Sequence, residues 1–158
     1  LNVSAHTIMH PEFCSIFTDF VEKHQLAPNQ FGLEVTETAE LADIDVASES
    51  LSILQGKGIK IALDDFGAGY ASLKYVRDLP IDVVKLDKHF TCNVSDPSTA
   101  RLISFVSEVC KDLKLEMIGE GIETEDDKQM MLDLGCKIGQ GYLMHRPDFL
   151  DSFKTKET

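Results

Sequence analysis

Seven polar residues close or interrupt short apolar runs along this chain: Asn2, Glu34, Asp64 with Asp65, Lys85, Glu120 and Gln140. All but Lys85 can offer an oxygen ligand. Carboxylates with an amide oxygen suit hard divalent cations such as Mg²⁺ or Mn²⁺, whereas zinc favours His and Cys. His6, His10, His24, His89 and His145 have no metal-ligand spacing and read as surface or packing residues. Several acids in one pocket repel one another unless cations are bound. Two metals about 3.5–4 Å apart, bridged by an Asp, are a common arrangement for cleaving a phosphodiester, because they neutralise the phosphate and acidify a water. Lys85 would then fix that water or the phosphate, and Glu120 would take the proton. Two plainer readings stand beside this one. Asp64 and Asp65 also suit a solvated acidic turn, and Lys85 also suits a buried ion pair with Asp87 or Glu120.

The elements that must bring these residues together can be read in order. Leu1-Asn-Val-Ser4 is the end of a strand, and His10-Pro11 opens a helix whose stripe of Phe13, Ile16, Phe17, Phe20 and Val21 is expected in the core. Phe31 to Thr36 is a strand around Glu34, and Ala39 to Gln55 a helix ended by Gly56 and Gly58. Lys60 to Asp65 is a buried strand that releases its two acids into the glycine-rich Phe66-Gly-Ala-Gly-Tyr70. A short helix over 71–78, a strand over 81–87 with Lys85 and Asp87 on one face, and a helix over 99–113 follow. That last helix is expected to bury Leu102, Ile103, Phe105, Val106, Val109 and Cys110. A strand over 115–120 leads through Glu120-Gly-Ile-Glu123 to Thr124-Glu-Asp-Asp127, which has the form of a capping box. Ile138 to Tyr142 is a final short strand, followed by an acidic helix over Phe149, Leu150 and Phe153 and a frayed tail over 154–158. Strands and helices alternate, which predicts an α/β fold of parallel strands joined by right-handed crossovers. In a closed parallel barrel all strands point their C-terminal ends to one face, where active sites are built. The seven polar residues are therefore expected at one site.

Size and composition set the bounds. The 158 residues suffice for one domain with a real core, and a net charge of −12 argues against a broad basic surface for a nucleic-acid polymer. A phosphate substrate stays compatible if metal supplies positive charge locally. Cys14, Cys92, Cys110 and Cys136 lack C-x-x-C spacing and read as free core thiols of a reducing compartment. No run is long enough to cross a bilayer and no signal peptide is visible, so a cytoplasmic domain is expected, with membrane anchoring of a longer parent left open. The start at Leu1-Asn2 reads as cut from a longer chain.

Six motifs then stand in order: Asn2-Val-Ser-Ala5, Glu34-Val-Thr-Glu37, Asp64-Asp-Phe-Gly-Ala-Gly-Tyr70, Lys85-Leu-Asp87, Glu120-Gly-Ile-Glu123 and Gln140-Gly-Tyr142. Together they resemble the signature of EAL domains, bacterial phosphodiesterases that open cyclic di-GMP to linear pGpG with Mg²⁺ or Mn²⁺ on a modified (β/α)₈ barrel. The resemblance implies metal ligation by Asn2, Glu34, Asp64 and Asp65. It implies catalytic roles for Lys85, Glu120 and Gln140, with Glu120 as base, and an anchoring role for Glu37 toward the loop after the Asp pair. Asp87 and Glu123, within the same motifs, are expected at the substrate. A homodimer and an upstream sensor or GGDEF-type domain are the implied partners. The chain departs from the family pattern at Ala68 and Ala71, where Thr and Ser are frequent, and at Gly119, where Ala is common. The Glu-Ala-Leu motif itself, with a further metal-binding glutamate, is expected upstream of Asn2 together with the first strands. This stretch alone is therefore expected to be an incomplete barrel over residues 1–153 with impaired activity. A receptor that binds cyclic di-GMP without cleaving it is the alternative reading.

Overall fold

A computed structural model describes residues 1–36, 43–68 and 72–149. Its strands are β1 (Asn2–Val3), β2 (Gly32–Thr36), β3 (Lys60–Phe66), β4 (Val83–Leu86), β5 (Glu116–Gly119) and β6 (Ile138–Gly139). They form one all-parallel sheet in sequence order, β1-β2-β3-β4-β5-β6. The helices are α1 (Ala5–Ile8), α2 (Phe13–Lys23), α3 (Ile44–Gly56), α4 (Ser72–Asp78), α5 (Lys88–Cys92), α6 (Pro97–Leu113) and α7 (Glu125–Asp133). Parallel strands joined by helical crossovers are what the alternating pattern predicts, and their sequential order is the arc of the (β/α)₈ barrel that the resemblance implies. Among the described residues, the outer edges of β1 and β6 carry no strand partner.

The pleat sorts the sheet into two chemistries. Leu33, Val35, Ile61, Leu63, Val84, Leu86 and Met117 face the helices and join Leu51, Leu54, Ile103 and Met131 in one apolar core. Their neighbours at alternate positions, Glu34, Ala62, Asp64, Val83 and Lys85, line the opposite face. All four residues of β4 are buried, so this strand is covered on both sides. At the other end of the sheet Asp82 ties elements together, accepting from the Ile61 N–H at 2.9 Å and from Gln55 Nε2 at 3.0 Å.

Several expectations need correction. The stripe of α2 is only partly core: Val21 is buried and Phe13 and Phe17 pack against the core, but Ile16 and Phe20 are exposed. On α6, Ile103, Val106 and Cys110 are buried while Leu102 and Phe105 face outward. Helical spacing marks an apolar stripe wider than the arc that a single packed layer covers. Of the cysteines only Cys110 and Cys136 are core thiols, Cys14 being half-buried and Cys92 exposed, though all four are free. Burial pushes the Cys110 thiol up to about 11, with Cys136 nearby adding to it. The first long helix begins at Phe13 rather than at Pro11, and α1 and α5 are additional to the predicted elements. The predicted helix over Phe149 and beyond shows no helical turn through residue 149, and residues from 150 lie outside the described set.

Candidate metal and acid–base site

Each predicted residue arrives by way of a strand end. Glu34 sits on β2 between the buried Leu33 and Val35, on the face away from the helices. Asp64 follows Ala62 by two residues on β3 and shares that face. Regular alternation would turn Asp65 toward the helices. Instead, the pairing of β3 with β4 slips between Leu63 and Phe66: three residues of β3 span two of β4, from Leu63↔Val84 to Phe66↔Leu86. Asp65 takes the extra place with a left-handed φ of 54°. This bulge puts carboxylate oxygens of Asp64, Asp65 and Glu120 within 4.8 Å of one another. Glu120 itself lies one residue past β5, its N–H donating to the Leu86 carbonyl at 3.2 Å.

Lys85 is the centre of the group. Its Nζ donates to Asp64 Oδ1 at 2.7 Å, Glu120 Oε1 at 2.8 Å and Glu34 Oε2 at 3.2 Å. An ammonium has three donors, and three carboxylates take them. Its side chain is only 6% exposed. Burial works to lower the Lys85 pKa, but the hydrogen bonds to Asp64 and Glu120 outweigh it and hold the group above its ordinary value. The salt-bridge reading of Lys85 is thus correct for Glu120 and incorrect for Asp87. Asp87 accepts from the His89 N–H at 2.8 Å and caps α5.

Two of the remaining predicted residues, Asn2 and Gln140, border this group along the sheet. Asn2 pairs in register with Glu34 at the rim, and Gln140 follows β6 with its N–H on the Gly119 carbonyl at 2.8 Å. Both side chains are exposed, as is Glu123. Glu37 and Ala71 lie outside the described residues. Gly119 has a packing reason: a Cβ there would sit 2.6 Å from Met131 Cε, so Met131 fills the space an alanine methyl would need.

Three acids bond the Lys85 ammonium, and Asp65 is grouped with two of them, so acidic side chains outnumber the one base here. The donor set therefore fits hard divalent cations, with oxygen ligands only and negative charge to spare. Sequence reading missed α5, whose signal was Asp87 as a cap directly before Lys88. A groove of about 550 Å³ between α6 and α7 holds none of these residues and lies at the opposite end of β5, beside Glu116. Among the described residues no helix is long and apolar enough to cross a membrane.

Comparison with known proteins agrees with the six motifs. The EAL domain profile matches residues 1–147. The bifunctional diguanylate cyclase/cyclic di-GMP phosphodiesterase MucR of Pseudomonas aeruginosa is 34% identical over 148 residues, covering 93% of this chain and 22% of that protein. The solved PaMucR phosphodiesterase, in complex with c-di-GMP, superposes with a TM-score of 0.86 at 33% identity over 96% of this chain and 62% of that one. Klebsiella pneumoniae BlrP1 with manganese and cy-diGMP gives 0.85 at 29% identity over 93% of this chain and 38% of that one. The chain spans about a fifth of the length of the curated relatives it matches. On the match across residues 1–147, this chain belongs to the EAL domain family.

Proposed function

We propose that this chain supplies the metal-binding and acid–base residues of a phosphodiesterase that hydrolyses cyclic di-GMP to linear pGpG with Mg²⁺ or Mn²⁺. The observation that carries the reading is the meeting of Glu34, Asp64, Asp65 and Glu120 around one buried lysine at the strand ends. Asn2, Glu34, Asp64 and Asp65 would hold the cations, which when bound supply charge neutralisation at the phosphate and a more acidic water. Hydrolysis breaks one P–O bond, with a water oxygen joining phosphorus and a proton reaching the leaving sugar oxygen. Glu120, with one oxygen held by Lys85, is the group that accepts the water's proton. Lys85 stays an ammonium, because its carboxylate partners hold its pKa up. It acts by charge and donated hydrogen bonds, and its longest contact, to Glu34, is the one it releases most readily toward water or phosphate. Gln140 completes the rim, Asp87 and Glu123 contact substrate, and Glu37 anchors the loop after Asp65. A homodimer in the cytoplasm, joined to a sensor or GGDEF-type domain, completes the reading.

The test is conversion of cyclic di-GMP to pGpG by the full-length protein with either metal. Turnover that disappears in Asp64→Asn and in Glu34→Gln supports the assignment. Tight binding of the dinucleotide with no turnover under either metal would establish a receptor instead.

A further inference from the structure

The five-residue helix α5 touches the chain just after Asp65 and just after Glu120. It starts directly after Lys85-Leu-Asp87, and Asp87 caps it. On one side the Phe90 ring lies against Gly67, two residues beyond Asp65: a Cβ at Gly67 would overlap Phe90 Cε2 and sit 2.6 Å from Cζ. On the other side the stem of Lys88 lies against Gly121, the residue after Glu120, where a Cβ would be 2.6 Å from Lys88 Cβ and 3.3 Å from Lys88 Cα. Both glycines hold left-handed angles, φ 95° and 69°. Only glycine combines that backbone with so close an approach. The Asp87 N–H adds a 3.3 Å bond to the Phe66 carbonyl, fastening the start of α5 to the end of β3.

We infer that α5 is a strut that sets the separation of the Asp65 and Glu120 carboxylates, with Phe90 and the Lys88 stem as positioning residues for the metal site. Asp65 needs such support. It sits in a bulge with a left-handed backbone, a conformation kept only where surrounding packing enforces it. Glu120 lies one residue past the end of β5, where its backbone is joined to β4 by the 3.2 Å bond from its N–H to the Leu86 carbonyl. Outer-shell groups that orient metal ligands typically alter metal affinity by about 10–100-fold when lost, and packing that sets a ligand's backbone acts in the same direction. The inference rests on the metal-binding part of the proposed function and not on the identity of the substrate.

The experiment is titration of Mn²⁺ into the full-length protein by electron paramagnetic resonance, with thermal melting of every variant. Phe90→Ala is expected to weaken Mn²⁺ binding about tenfold, and Phe90→Leu to recover most of it. Lys88→Gly, which removes the Cβ that lies against Gly121, should bind several-fold more weakly than Lys88→Ala, which keeps it. In an Asp65→Asn background, Phe90→Ala should cost little more, because the residue it positions is already lost. Equal losses in both backgrounds, or unchanged affinity in folded Phe90→Ala and Lys88→Gly proteins, would overturn the strut. If Phe90→Ala does not fold, the Lys88 pair decides alone. An unaltered protein that binds no Mn²⁺ sinks both this inference and the proposed metal site. One that binds Mn²⁺ but leaves cyclic di-GMP intact sinks only the proposed hydrolysis.

Discussion

At the scale of single residues, Lys85 decides how the site holds together. A buried ammonium that serves three carboxylates is expensive to remove, because the acids keep their burial and lose their counter-charge. Replacing it with Met, close in size and uncharged, should cost about 3–5 kcal/mol of stability in metal-free protein. The same substitution should cost much less with saturating Mn²⁺, since cations then offset the acids. Urea melts with and without metal check this, and equal losses in both would show that cations and Lys85 do not compensate the same charge. Lys85 was legible in the sequence as a polar residue in an apolar strand. Of its three partners the sequence offered Glu120 but not Glu34 or Asp64, which lie on two other strands.

At the scale of elements, the bulge in β3 does what a regular strand cannot. Two successive side chains of a strand point to opposite faces, so Asp64-Asp65 in plain alternation would aim one acid into the helix-side core. The extra residue and the left-handed angle at Asp65 turn both acids to one side. Replacements there separate charge from backbone. Asp65→Asn tolerates the left-handed angle, whereas Asp65→Val, equally neutral and branched at Cβ, does not. Val should therefore be less stable than Asn by about 1–3 kcal/mol, read from paired denaturant melts. Matching stabilities would mean the bulge relaxes without strain. The sequence indicated a turn after Asp65 through Gly67 and Gly69. The place where the ladder slips depends on the register of β4 against β3, which no local pattern encodes.

At the scale of the whole molecule, six parallel strands among the described residues form an arc whose outer strands, β1 and β6, are two residues each. Unpaired strand edges offer their N–H and C=O groups to any chain that fits them. The 158-residue chain produced alone should therefore run larger than its 17.6 kDa in light scattering after gel filtration. A single 17.6 kDa species at all concentrations would show that these short edges are adequately blunted.

What the sequence determined by itself was the α/β order, the parallel sheet and the set of polar residues at strand ends. All three follow from local pattern: apolar runs of strand length, helical periodicity between them, and acids that an apolar strand would not carry without a purpose. What only the tertiary structure decided was which of those residues meet. It gathered Glu34, Asp64, Asp65 and Glu120 around Lys85, left Asn2 and Gln140 at the rim, and gave Asp87 to a helix cap. It also turned Leu102 and Phe105 outward and set Phe90 and Lys88 against two glycines. These outcomes depend on register, on the bulge and on the direction of a five-residue helix, and each is fixed by contacts between segments far apart in the chain.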